Sequence, residues 1–350
     1  MGADDIRMKR KIQQLGSSTL AVTLPAEWAR EHDARKGDEV IVQRDESGGS
    51  LLIVPDSSSS GTETATIDAD PLEPGALERA ILAQYVLGRQ LIRIDGETPL
   101  STDVLDSVTS IERQLMGLGV VEQGTDHVDV RCSVAPGDFE LPTLLERLWR
   151  TEATMREHAI EALTTGDPDG AQRTIHHERQ IEKLFYLFLR LLFTTYRNPR
   201  LNESVGLETG FPLIGYRSIA QDVVLMAGVA RRIAGMVTEA GGTIELEETA
   251  ATRFRTTADT LETAAAETRT AVTDPTHETV GRARESLDAH FDSVEQTQRY
   301  LETERPEPLL VLQRSLTALH SSGTHATDSL DVASHFAFRS EPTVEGSDSL

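Results

Sequence analysis

The sequence predicts a multidomain protein: a β-rich N-terminal module, a small α+β middle segment and an all-α C-terminal half. Three observations carry this. At 350 residues the chain exceeds one ordinary domain. Its hydrophobic pattern changes from alternation before residue 55 to a sustained helical period after about residue 140. Between the first two parts lies DSSSSGTETAT, residues 56–66, whose Ser/Thr/Gly-rich polar composition reads as a linker.

The elements follow in order. RMKRKIQQLG reads as a strand ending at Gly16, and STLAVTL as a second strand. PAEWAREHD is a short helix, with Pro25 in its first turn, where a missing N–H costs little. ARKGDEVIVQRDESGGSLLIVP is a hairpin turning at Ser47-Gly48-Gly49. This module, residues 7–55, is too small to bury a convincing core alone, which predicts a dimer with interleaved strands. In residues 67–135, ALERAILAQYVLGRQ is helical, LIRID a strand, TDVLDSVTSIERQLMGLG a second helix, and VVEQ with HVDVRCSV a hairpin. No catalytic spacing occurs there, so packing or dimerisation is its expected role. Residues 140–338 carry six long helical patterns, separated at Gly166-Asp167-Pro168, Asn198-Pro199, Gly241-Gly242, Pro275, and Pro306 with Pro308. Six helices in two sets of three predict a duplicated three-helix bundle. Residues 339–350 are expected to be a disordered tail.

Composition narrows the function classes. The chain has 34 Lys+Arg against 57 Asp+Glu, a net charge of −23, and its lysines stand only at 9, 11, 36 and 183. An acidic, lysine-poor surface suits a salt-rich cytoplasm, where charge maintains solubility and salt screens self-repulsion, so a halophilic protein is expected. MGADDIRMKRK contains no hydrophobic leader, and the most apolar window, LFYLFLRLLF, is far too short to span a bilayer. A cytoplasmic chain without membrane insertion is expected. The single cysteine, Cys132, leaves no intrachain disulfide and no multi-cysteine zinc site, and reads as a small buried hydrophobe. The histidines are scattered, with no H-x-x-x-H pair, glycine-rich phosphate loop, G-x-S-x-G or Ser/His/Asp grouping. An enzyme is the least supported class.

The scarce positive charge is concentrated. Arg7, Lys9, Arg10 and Lys11 precede GSSTLAVTLPAEW, and Arg30, Arg35 and Lys36 follow it. In a strand, Arg7, Lys9 and Lys11 would share one face. Doubled by a two-fold axis, that face becomes a positive stripe able to follow a phosphate backbone. Ser17, Ser18 and Thr19 would add hydroxyl and backbone N–H contacts to phosphate. The competing reading is that the basic residues only keep a strand edge soluble.

The order RKI, Leu15-Gly16, Val22 to Pro25, Gly37-Asp38 and a closing hydrophobic hairpin resembles the AbrB/SpoVT/MazE swapped-hairpin DNA-binding domain. The resemblance implies a homodimer whose β-rich face contacts DNA. Arg10 and Lys11 match the family's basic pair, and Arg30 a basic position on its short helix. Many members carry arginine directly after the glycine; Ser17 stands there in this chain, which implies backbone grip ahead of base reading. The GSST form with LPAEW resembles the version fused to PhoU-like domains in archaea.

The helical half resembles the PhoU family of phosphate-signalling proteins, and HHERQIEKLFYLFLR, His176 to Arg190, is similar to its acidic helix. Glu178 and Glu182 take the acidic positions. They lie four residues apart, beside Phe185, Leu189 and Leu192, so they need a partner: a divalent metal ion, or an arginine such as Arg190, Arg231 or Arg232. Val224 and Gly228 stand where the family usually has acids on the third helix, and SLTALHSSG lacks them on the sixth, so no multinuclear metal cluster is expected. Asp288, Asp292 and Glu295 read as a solvated face. The two resemblances together imply a homodimeric DNA-binding transcriptional regulator of phosphate uptake, whose bundle receives a signal or binds a phosphate-transporter ATPase or sensor protein. The rival is a protein-interaction regulator of a transporter or sensor kinase with no direct DNA contact. An antitoxin role fits less well, because MazE-like proteins end in a short tail rather than in a long folded chain.

Overall fold

The structure, a computed structural model, describes residues 9–31, 33–44, 51–55, 64–198, 201, 203–206, 211–240 and 244–340. Arg7, the turn at Ser47-Gly48-Gly49, most of the expected linker, Pro199, Gly241-Gly242 and residues 341–350 lie outside the described residues. The chain divides into two units, Met1–Gly61 and Thr62–Leu350.

In the first unit, β1 (Gln13–Leu15) pairs antiparallel with β2 (Thr19–Ala21), with Leu15 opposite Thr19. The turn between them begins at Gly16, whose φ of +78° is costly for any residue with a Cβ. α1 (Ala26–Glu31) starts after Pro25, whose carbonyl accepts the Ala29 N–H at 3.0 Å. Glu27 in its first turn and Arg30 in its last complement the helix dipole. β3 (Val40–Arg44) pairs antiparallel with β4 (Leu51–Pro55). Both N-terminal strands are shorter than the sequence predicts. The first begins at Gln13, so Lys9, Arg10 and Lys11 precede it, and the alternation expected to align basic side chains on a strand face is absent there. Among the described residues each three-residue strand has one neighbour, and the ladder stops where that neighbour stops. Among the described residues of this unit none is fully buried, and Ile12, Leu15, Leu20, Val42 and Leu51 are exposed, Leu20 by 67%.

The second unit opens on β5 (Thr64–Asp68), inside the stretch expected to be linker through residue 66. TATID reads as polar because two of its five residues are threonine and one is aspartate, and the ladder partner that makes it a strand lies well ahead in the chain. β5 pairs in parallel with β6 (Leu91–Asp95) across α2 (Pro74–Val86), a β-α-β crossover. α3 (Thr102–Gln114) then leads to the hairpin of β7 (Leu118–Gln123) and β8 (His127–Cys132), giving the sheet order β5-β6-β8-β7. Ile92, Ile94, Val128 and Val130 point to the face covered by Leu77, Ile81 and Tyr85 of α2 and Val108 and Ile111 of α3. Cys132 is buried at the edge of that core.

Six helices follow in two sets of three: α4 (Leu141–Thr165), α5 (Pro168–Arg197) and α6 (Phe211–Glu239), then α7 (Glu248–Thr273), α8 (His277–Glu304) and α9 (Leu309–Ser340). Gly166-Asp167-Pro168 separates α4 from α5, and Pro275 lies between α7 and α8. Gly166 closes α4 with φ +70°, and the Asp167 carboxylate accepts the N–H groups of Asp169 and Gly170 at 2.9 and 3.0 Å to start α5. The Thr276 hydroxyl accepts the Thr279 N–H at 3.2 Å to start α8. α9 runs through Ser340, so Arg339 and Ser340 are helical rather than part of a tail. α6 packs along α9 and α4 touches α7, joining both sets around one apolar core. Among the described residues one helix, Leu213–Glu239 of α6, is long and apolar enough to cross a membrane. In this fold it is a core element: Ile219, Val223, Met226, Val229, Ile233 and Val237 are all buried within the bundle.

Candidate functional site

The described basic residues predicted to face DNA fall into three places. Lys9, Arg10 and Lys11 are exposed in the segment leading into β1. Ser17 and Ser18 form the β1–β2 turn, where the Gln14 amide donates to the Ser17 carbonyl at 3.5 Å, and Thr19 opens β2. Arg30 closes α1 and turns its Nε back to the Ala26 carbonyl at 3.2 Å. Arg35 and Lys36 are exposed in the loop that follows, but the Arg35 guanidinium is already held by the Asp33 carboxylate at 2.9 Å. Asp38 accepts the Arg35 backbone N–H at 2.7 Å, which sets the loop against Gly37. Of the residues predicted to face DNA, Lys9, Lys11 and Lys36 therefore present exposed ammonium groups, whereas Arg35 would have to exchange a carboxylate for a phosphate.

In the second unit the acidic helix finds an arginine. Arg231 of α6 donates its Nε to Glu178 Oε2 at 2.7 Å. Glu182, half-buried one turn on, has its carboxyl raised above the ordinary range by desolvation and then by Glu178, with Arg231 opposing. An open cleft of about 910 Å³ between α3 and α5 is lined by Arg113, His176, Arg179, Glu182 and Lys183 among others. Residues 223–238 of α6, which include Val224 and Gly228, contain no acid, and Asp288, Asp292 and Glu295 are exposed on α8.

Arg190, the other arginine expected near those acids, does something else. It is 4% exposed and donates to the carbonyls of Tyr85 (2.7 Å), Arg89 (3.0 Å) and Gly88 (3.3 Å), with its guanidinium 4.9 Å from the Tyr85 ring centre. These carbonyls end α2, so a cation from α5 caps that helix where its dipole is negative. Arg197 adds a bond to the Leu87 carbonyl at 2.9 Å. The sheet domain is thereby joined to the bundle. Packing, one of the two roles expected of this segment alongside dimerisation, has a specific device here.

Two further polar groupings escaped sequence reading because each draws a member from a distant helix. Glu152 and Arg156, both buried on α4, pair at 3.0 Å, and Arg156 reaches Glu262 of α7 at 2.6 Å, linking the two helical sets. Asp222 of α6 accepts the Ser329 hydroxyl at 3.3 Å and lies near Asp328 and His325 of α9. Burial first, and then the Asp328 charge, pushes the Asp222 carboxyl up to about 6.

Against known proteins, residues 13–60 match the family model described as antidote-toxin recognition MazE, bacterial antitoxin, and residues 145–237 match that of the PhoU domain. Neither is an enzyme family. Among solved structures, PhoU from Pseudomonas aeruginosa aligns with a TM-score of 0.46 at 14% identity, over 57% of this chain and 96% of that one. No curated protein matches.

Proposed function

We propose that this protein is a cytoplasmic, dimeric DNA-binding regulator of phosphate uptake, in which the N-terminal unit holds DNA and the helical half carries the signal. The observation that supports this best is the N-terminal unit itself. In a chain of net charge −23 it keeps Lys9, Arg10, Lys11, Arg30 and Lys36 exposed, while its described apolar side chains find no core within one copy. A second copy would cover Leu15, Leu20 and Val42 and bring two basic sets together. The MazE-type match of this unit and the PhoU-type match of the bundle support that assignment.

Contact would be mainly to the phosphate backbone, with Ser17, Ser18 and Thr19 adding neutral donors near the β1–β2 turn. On the bundle, Glu178 with Arg231 reads as an internal ion pair, which is the arginine alternative to a metal ion at Glu178 and Glu182. A transporter ATPase or sensor protein is the partner expected for the helical half. Chromatin occupancy in phosphate-rich and phosphate-starved cells tests the proposal. Enrichment at phosphate-transport promoters that changes with phosphate is expected. Absence of enrichment in both conditions would leave the protein-interaction regulator as the better reading.

A further inference from the structure

The sheet of the second unit carries a polar constellation on the side away from α2 and α3. Cross-strand register explains how it arises. Val120 pairs with Val130, and a bulge then skips Val121, so that Glu122 stands opposite Asp129. Without the bulge Val121 would occupy that place. His127 and Asp129 are two apart on β8 and so share a face. Arg93 and Asp95 of β6 are their cross-strand partners on the other side.

We propose that Glu122, His127 and Asp129 form a binding site for a divalent first-row transition-metal ion. One ligand atom from each lies within 4.8 Å of the others. Ligand atoms 2.0–2.2 Å from one ion in a tetrahedral shell stand about 3.3–3.6 Å apart, so side-chain rotations that close the widest gap by about an ångström complete the set. His127 Nε2 is 3.7 Å from Glu122 Oε1, too long for a hydrogen bond but the right order for two ligands of one ion.

Three features prepare the site. The Asp126 carboxylate lies 2.8 Å from His127 Nδ1, and because a carboxylate only accepts, Nδ1 carries a proton, which leaves Nε2 as the nitrogen that would ligate an ion. A carboxylate behind a ligating imidazole is the recurrent second layer of metal sites. Next, Asp129 is 9% exposed, yet its Oδ1 is buried with no hydrogen-bond partner; the nearest cation, Arg93 Nη1, stands off at 3.9 Å. Arg93 is held back because its Nε is committed to Asp95 at 2.8 Å. A buried carboxylate oxygen without a hydrogen bond is expensive, and a cation supplies what it lacks. Finally, the imidazole lies over Gly124, where a Cβ would come within 2.4 Å of ring atom Cε1. Glycine is required there for the ring to hold its place. One nitrogen and two oxygen ligands favour ions such as Zn²⁺ or Mn²⁺ over Ca²⁺, with water completing the shell on the exposed Glu122 side.

The test is calorimetric titration of the chelator-stripped full-length protein with Zn²⁺. One binding event is expected that His127→Ala weakens by more than 100-fold. Asp126→Asn, which keeps size and hydrogen-bonding capacity, should weaken it 10- to 100-fold. Arg93→Gln should tighten it several-fold by removing a competing positive charge, a direction that mere unfolding cannot produce. Asp222→Asn, at the other acid–histidine grouping, should leave it unchanged. Lack of Zn²⁺ binding by the wild-type chain, or binding that His127→Ala and Asp126→Asn leave unaltered, would overturn the assignment.

Discussion

Replacing Arg190 with methionine isolates the device that joins the sheet domain to the helical bundle. Methionine keeps much of the apolar stem and removes the guanidinium, so the change is in hydrogen bonding and charge rather than in volume. Three bonds are lost, at 2.7, 3.0 and 3.3 Å to the carbonyls that end α2. Bonds to a charged group contribute roughly 1.5–3 kcal/mol each, the longest one least. Against this, the variant no longer buries a charge, which returns several kcal/mol. The net expectation is a loss of about 2–4 kcal/mol, concentrated at the α2–α5 contact. Hydrogen exchange reads it directly. Amides of α2 and of β6 and β8 should exchange roughly 30- to 700-fold faster, while those of α7 and α8 stay as in the wild type. Arg190→Lys, which retains charge but loses the planar fork, should fall between. If α2 protection in Arg190→Met stays within threefold of the wild type, Arg190 is a passenger and the domains are joined by apolar packing alone.

Other expectations follow from the same contacts. His290 is fully buried between Thr260 and the Leu319 carbonyl, and burial lowers its pKa from 6.5 to about 4. The folded protein thus refuses a proton that the unfolded chain accepts below 6.5, so stability is lost as pH falls from about 6.5 towards 4, by at most about 3 kcal/mol. Urea midpoints measured across that range should flatten in His290→Gln. Glu152→Ala leaves the buried Arg156 with only the half-exposed Glu262 and should cost about 3 kcal/mol in urea unfolding, whereas the pair Glu152→Leu with Arg156→Met should recover most of it. Leu20→Glu places a charge where the proposed second copy packs. Losing a buried leucine from each protomer, at about 1.5–3 kcal/mol per side chain, should raise the dimer dissociation constant by 10²- to 10⁴-fold in sedimentation analysis.

The helical half was the most legible part of the sequence. Its apolar residues recur at helical spacing over long stretches, and Gly166, Asp167 and Pro168 stop one helix and start the next through local geometry alone. β5 was not legible, because TATID is short, rich in threonine and dependent on pairing with β6. Arg190 was legible as an arginine on the acidic helix, but its partner and its burial were not. Twelve residues of helix carry it about 18 Å beyond Glu178, out of reach of that acid and up to the end of α2. The arginine that does meet Glu178 comes from α6, a pairing that tertiary packing decides. The basic residues near the N-terminus were read correctly as a concentration of charge, but not as a strand face, since Lys9, Arg10 and Lys11 precede β1. The Glu122, His127 and Asp129 grouping depends on one bulge, and no residue pattern announces it.

The central claim is that the N-terminal unit grips DNA through its phosphates. Fluorescence anisotropy of the full-length protein on a labelled duplex, titrated over a range of salt concentrations, tests it most directly. Arg10→Ala with Lys11→Ala removes four positive charges from a dimer, so log Kd against log salt should flatten by a slope of about 3 to 4, with weaker binding at every salt concentration. Unchanged affinity and slope in the double variant, or no binding by the wild-type chain to any duplex at low salt, would contradict the account.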